Sequence, residues 1–107
     1  MIRVLYHPKY FRVLVRGHAR SGEPGRDLVC AAASALAVTL AETVTAMERA
    51  GQVRELQVTV RPGLAEVCCV PRAGYRATAR LVMNVIGMGW ERLAREYPEF
   101  LSYEVRG

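Results

Sequence analysis

Much that would place this chain in a familiar class is missing. It has three cysteines, Cys30, Cys68 and Cys69. An odd number with two adjacent members makes a poor disulfide framework. There is no CxxC pair and no histidine cluster, so neither a structural zinc site nor any other metal or cofactor is expected. The opening MIRVLYHPKY has no apolar core and no small-residue cleavage site, which excludes a secretory signal. The longest apolar run, LVCAAASALAVTLA, contains Ser34 and Thr39 and runs into Glu42, so no membrane span and no membrane partner are expected. Together these absences point to the cytoplasm.

Charge is unbalanced without being concentrated. The net charge is +5 and the isoelectric point about 9.6. The basic residues are scattered from Arg3 to Arg106, with no dense basic run and no interleaved aromatics. Contact with a nucleoprotein particle is compatible with this balance; direct nucleic-acid binding is not expected. There is no internal repeat, linker or low-complexity tract. The 107 residues, 51% hydrophobic and 23% charged, suit one folded domain over 1–107.

The elements follow from periodicity and punctuation. Residues 2–6 and 11–16 are rich in β-branched and large apolar side chains, with HPKY as a turn between them. Residues 17–26, GHARSGEPGR, hold three glycines and a proline and form a loop. Asp27 then reads as an N-cap and Gly51 as a stop, which predicts a helix over 28–50. Residues 54–60 and 65–70 read as strands around RPGL. The spacing of Leu81, Val82, Val85, Ile86, Trp90 and Leu93 predicts a helix over 75–97, ended by Pro98. Residues 100–105 make a last strand. The order ββαββαβ predicts a two-layer α/β (α+β) domain, with two long helices on a mixed sheet of about five strands.

Chemistry concentrates in GHARSGEPGRDLVCAAASAL, residues 17–36. With Asp27 as cap, Cys30 is the third helical residue, near the unpaired N–H groups and the positive end of the helix dipole. Both favour thiolate, the nucleophilic form. At 100° per residue, Leu28, Val29, Ala32, Leu36, Leu40, Val44 and Met47 form the stripe expected to face the sheet. Cys30 and Ser34 lie beside that stripe, and Ala31, Ala35 and Val38 share the outer side, where small residues invite close packing by a substrate, loop or second subunit. His18, after the second strand, is the candidate base. The plain alternatives are a packing cysteine, a solvated histidine, a cap at Asp27, a small packing residue at Ser34 and glycines that only turn.

The segment resembles the signature of the ribosomal-processing cysteine protease family, Prp. The matching residues include Gly17, His18, Ala19, Gly25, Asp27, Val29, Cys30, Ala31, Ala32, Ser34, Ala35 and Leu36. The similarity extends to the opening Met-Ile strand and to the tail with its Tyr97-Pro98-Glu99 stop. The resemblance implies a homodimeric two-layer α/β fold and a catalytic pair of His18 and Cys30. It also implies a mobile loop over 17–26 containing Gly17, Gly22 and Gly25, and an apolar groove. The implied activity is removal of a short N-terminal extension from a large-subunit ribosomal protein, whose precursor is the peptide substrate. Asp27 and Ser34 are possible supporting residues. Cys68 and Cys69 lie outside the motif; on a strand one faces inward and the other outward. The rival readings are a non-catalytic ribosome- or assembly-associated homodimeric binding module and a thiol hydrolase for small acyl or amide substrates. A long groove at Cys30 favours the protease, a short pocket the small-substrate hydrolase.

Overall fold

The computed structural model describes residues 1–17 and 26–107, with side chains of the second segment described from Leu28 onward. The strands are β1 (Ile2–His7), β2 (Arg12–Arg16), β3 (Val53–Arg61), β4 (Leu64–Pro71) and β5 (Leu101–Val105). The helices are α1 (Arg26–Arg49) and α2 (Arg76–Glu96). The strands form one sheet in the order β3-β4-β2-β1-β5, antiparallel except where β5 runs parallel to β1. The α+β architecture and the mixed five-stranded sheet read from the sequence are those observed.

The topology explains why both helices share a face. Through α1 the chain passes from β2 to the parallel strand β3, with β4 between them. Through α2 it passes from β4 to the parallel strand β5, in the opposite direction across the sheet. Since β2 and β4 are antiparallel, crossovers of the usual right hand bring both helices to one side. Period-two alternation then sends Ile2, Val4 and Tyr6 of β1, Val13 of β2, and Val67 and Cys69 of β4 into the core. Cys69 is buried while its neighbour Cys68 stands half-buried on the helix-free face.

The α1 stripe is narrower and rotated from the one expected. Val29, Ala33, Ala37, Leu40, Ala41, Val44 and Met47 are buried, whereas Leu28 is 68% exposed and Ala32 and Leu36 are half-buried. The reason is α2, which packs beside α1 and centres the contact on alanines. The Trp90 indole, with no exposed surface, donates a hydrogen bond to the Ala33 carbonyl at 3.3 Å. A Cβ at Gly89 would stand 2.8 Å from Leu36, and one at Gly87 would stand 2.5 Å from the Tyr103 hydroxyl. Each glycine costs about 1 kcal/mol of helix propensity, and the missing side chain lets α2 approach both α1 and β5.

Within Leu28–Arg49 an 18-residue window has a mean hydropathy of 1.7, and the helix is long and apolar enough by length and composition to cross a bilayer. Ser34, Thr39 and Glu42 do not lower it below that level, contrary to the sequence reading. Its apolar side lies against the sheet and α2.

The turn between β1 and β2 is a 3-10 turn, Pro8–Tyr10, ended by Phe11 in a left-handed conformation (φ 48°). Such a backbone is unusual for a bulky residue. Here the ring is buried, Arg76 and Arg80 lie 5.6 and 5.1 Å from its centroid, and the Phe11 carbonyl accepts the Cys69 N–H at 3.2 Å. At the sheet edge, β3 carries a register shift between Arg54 and Gln57, with Glu55 at φ 52°. A bulge there re-aims an edge strand and blunts its pairing with other chains.

Trp90→Ala is expected to destabilise the fold by about 3–5 kcal/mol, read from urea unfolding followed by circular dichroism. A second expectation concerns alkaline pH. Burial pushes the Tyr103 phenol up to about 12, with Tyr6 and Glu91 adding to the shift, from an ordinary value of 10.0. The folded state therefore holds its proton more tightly than the unfolded chain. That stabilisation is complete below pH 10 and is lost as pH rises toward 12. The urea midpoint should fall across this window, and Tyr103→Phe should flatten the fall.

Candidate active site

The rotation of the stripe brings Cys30 to its margin, between the directions of Ala37 and Ala41 and next to that of Ser34, whereas the sequence reading set it beside the stripe. Counting from Arg26 it is the fifth helical residue, not the third. Its own N–H is thus within the helical ladder, and the unpaired N–H groups precede it. Asp27 is likewise inside the helix. Its backbone is already helical, which an N-cap's is not, so the capping reading is corrected. Its side chain lies outside the described residues, as do His18, Gly22 and Gly25.

Cys30 is half-buried, packs against the core and is a free thiol. It opens onto a cavity of about 500 Å³ whose walls include Gly17, Ser34, Val38, Val60 and Pro62. Ser34 is exposed one turn beyond Cys30 on the same wall. A second depression of about 520 Å³ continues past Glu42 and Thr45 to Arg49, and Val38 and Val60 line both. The two make one trough between α1 and the edge strand β3. Nineteen residues of helix separate Cys30 from Arg49, a run of about 28 Å at the α-helical rise. That length accommodates about eight residues of extended peptide.

The trough walls are apolar. Val38, Val58 and Val60 are 39%, 40% and 51% exposed, large aliphatic side chains left uncovered where α1 and β3 diverge. Val58 and Val60 pair in register with Val67 and Ala65, which places them on the helix side of the sheet. No sequence reading singled them out. Their alternation was visible, but only the strand order shows that β3 is an edge that α1 does not fully cover.

The other two thiols are unsuited to attack. Burial pushes Cys69 up to about 11, with Cys68 adding to the shift. Burial also raises Cys68, which Arg12 partly opposes and Glu66 reinforces. Both are held as thiols at neutral pH. Among the described residues, no three of His, Cys, Asp and Glu gather to hold a metal ion.

This geometry was compared with known proteins. A family model described as Cysteine protease Prp matches residues 1–102. The chain belongs to that family. Its members are cysteine proteases, so the chain is a peptide-bond hydrolase. Among solved structures, two are of an essential ribosomal processing protease Prp from S. aureus. The one in complex with a covalently linked product peptide is 24% identical, covers 99% of this chain and 100% of that one, and has a TM-score of 0.74. The one in complex with a substrate peptide is 20% identical, covers 98% and 97%, and has a TM-score of 0.70. A protein from Streptococcus mutans is 27% identical, with coverage of 97% and 90% and a TM-score of 0.66. No curated protein sequence matches the chain.

Gly17 anchors one wall of the Cys30 cavity of this Prp-family chain at the sheet. Its N–H donates to the Gly63 carbonyl at 3.1 Å, tying the end of β2 to the β3–β4 turn. Its φ is +124°, and a Cβ there would overlap the Met1 carbonyl oxygen. Only glycine meets both demands. Gly17→Ala should lower stability by about 2 kcal/mol or more, measured as a drop in the urea midpoint.

Proposed function

We propose that this Prp-family protease, acting as one domain over 1–107 in the cytoplasm, removes a short N-terminal extension from a large-subunit ribosomal protein. The observation that carries the reading is the long apolar trough that begins at Cys30. A hydrolase for small acyl or amide substrates has no use for a channel of that length. The S. aureus relatives, described as ribosomal processing proteases with a substrate peptide and with a covalently linked product peptide, support both the target class and a covalent route.

Cys30 is the nucleophile and His18 the base. Gly17, which immediately precedes His18, lines the same cavity as Cys30, and this supports the pairing. His18 takes the thiol proton and Cys30 Sγ attacks the scissile carbonyl carbon. The tetrahedral intermediate collapses with cleavage of the C–N bond, and His18 returns the proton to the departing amine. Water, deprotonated by His18, then attacks the thioester, releases the acid and regenerates the thiol. Backbone N–H groups of the loop or first helical turn hold the oxyanion. The trough suits the apolar residues of the target, with Ser34 on the wall one turn beyond the reacting sulfur.

The reading includes a homodimer. Leu81, Val85 and Met88, 63%, 56% and 69% exposed at helical spacing on α2, offer an apolar face for a second copy.

The test is incubation of the ribosomal-protein precursor with wild type and with Cys30→Ala, read by intact mass. Wild type should release a defined N-terminal peptide, and the variant should release none while retaining its circular-dichroism spectrum. Cleavage by Cys30→Ala would sink the nucleophile assignment. His18→Ala should slow turnover by 10²-fold or more and should also slow alkylation of Cys30 at neutral pH.

A further inference from the structure

Lys9 is the one lysine among 15 basic residues, so the positive charge is almost wholly guanidinium. Scattered along the chain, these arginines give no linear motif. The sheet register gathers three of them. Arg3 stands opposite Arg16, Arg16 opposite Leu64, and Leu64 opposite Arg61. Arg3, Arg16 and Arg61 thus lie in one row crossing four adjacent strands, about 14 Å from end to end at the usual strand spacing.

Alternation directs all three to the helix-free face, since Ile2, Val4, Val15 and Val60 take the helix side; Arg61, at the end of its strand, also borders the Cys30 cavity. All three are exposed, and none has an ion pair among the described residues. Other arginines nearby are neutralised: Arg12 by Glu66 and Arg106 by Glu104. Like charges directly opposite on antiparallel strands are unfavourable, and Arg3 and Arg16 form such a pair. A polyanion relieves that repulsion. The row also sits at the end of the sheet that carries Gly17 and the Pro62–Gly63 turn, so it lies around the edge from the Cys30 end of the trough.

We propose that this arginine row binds the phosphate backbone of RNA. Guanidinium groups meet phosphate oxygens through two parallel hydrogen bonds, a match that lysine lacks. A polynucleotide carries a charge at every residue on a flexible backbone, so it meets this unevenly spaced row without any particular sequence; an acidic peptide needs its carboxylates at matching positions. Ser102, next to Arg3 in the same row and exposed, supplies a hydroxyl for a 2′-hydroxyl. In choosing RNA over DNA the assignment rests on the ribosomal target proposed above; phosphate binding itself does not. The row would hold the protease on a nucleoprotein particle while the peptide enters the trough.

The experiment is fluorescence anisotropy of a labelled oligouridylate titrated with the protein over a series of salt concentrations, with oligothymidylate and oligoglutamate as competitors. Binding should strengthen as salt falls. Arg3→Gln, Arg16→Gln and Arg61→Gln should each lower the log–log salt slope by about 0.7, and the triple variant should weaken low-salt binding about tenfold or more. Arg92→Gln and Arg95→Gln, on α2 and paired with Glu96 and Glu91, should change nothing, and circular dichroism should show all variants folded. Absence of salt-dependent binding, or equal loss in the Arg92 and Arg95 variants, would overturn the proposal. Stronger competition by oligoglutamate would reassign the row to an acidic peptide, and competition by oligothymidylate at or above the strength of unlabelled oligouridylate would remove RNA as the source. No peptide is present in this measurement, so its failure leaves the protease reading standing, and failure of cleavage leaves this one standing.

Discussion

Packing of α1 onto the sheet through Val29, Ala33, Ala37, Leu40, Val44 and Met47 is the contact on which the other features depend. A helix can bury a stripe of limited width. Once that stripe is committed to the sheet and α2, the flank carrying Cys30, Ser34 and Val38 must face sideways. What it faces is set by strand order: β3 lies at the sheet's edge, beyond the cover that two helices give five strands. The trough at Cys30 is this uncovered margin. Its apolar surface includes Val58 and Val60, which keep the inward register of their strand even where α1 covers them only in part.

Close approach of α2 makes that arrangement possible. Gly87 admits the Tyr103 ring, Gly89 admits Leu36, and Trp90 fills the centre with its indole N–H bonded to the Ala33 carbonyl. Larger residues at the two glycines would push α2 away from its neighbours and loosen the support of α1. Cys30, the proposed nucleophile, therefore stands on a helix backed by Trp90, the largest fully buried side chain of the core. A nucleophile needs that kind of support, because misplacement by an ångström costs rate steeply. Gly17, which lines the same cavity, holds the end of β2 against Met1 and the β3–β4 turn by backbone contacts.

Charge is organised by the same register. On the helix-free face, acids and arginines cancel at Arg12–Glu66 and Arg106–Glu104, while the row of Arg3, Arg16 and Arg61 is left uncompensated. A face that had only to stay soluble would intersperse signs throughout. The imbalance is local, at the end of the sheet nearest the thiol.

The elements, their order and the fold class were legible in the chain, because helical and strand periods, Gly51, Pro98 and the turn residues act over short range. The motif around Cys30 was legible as well, since it is local, but the cysteine's place relative to the buried stripe was not, because α2 rotates that stripe toward it. The start of α1 was misjudged by two residues, since helix ends are decided by backbone pairing and Asp27 is as acceptable in a first turn as at a cap. Leu28 was misplaced because the stripe was drawn without α2 beside it. The trough, the edge position of β3 and the arginine row belong to tertiary structure alone. Each requires residues far apart in sequence to become neighbours, and hydrogen-bond register across strands, which no local pattern encodes, decides which ones do.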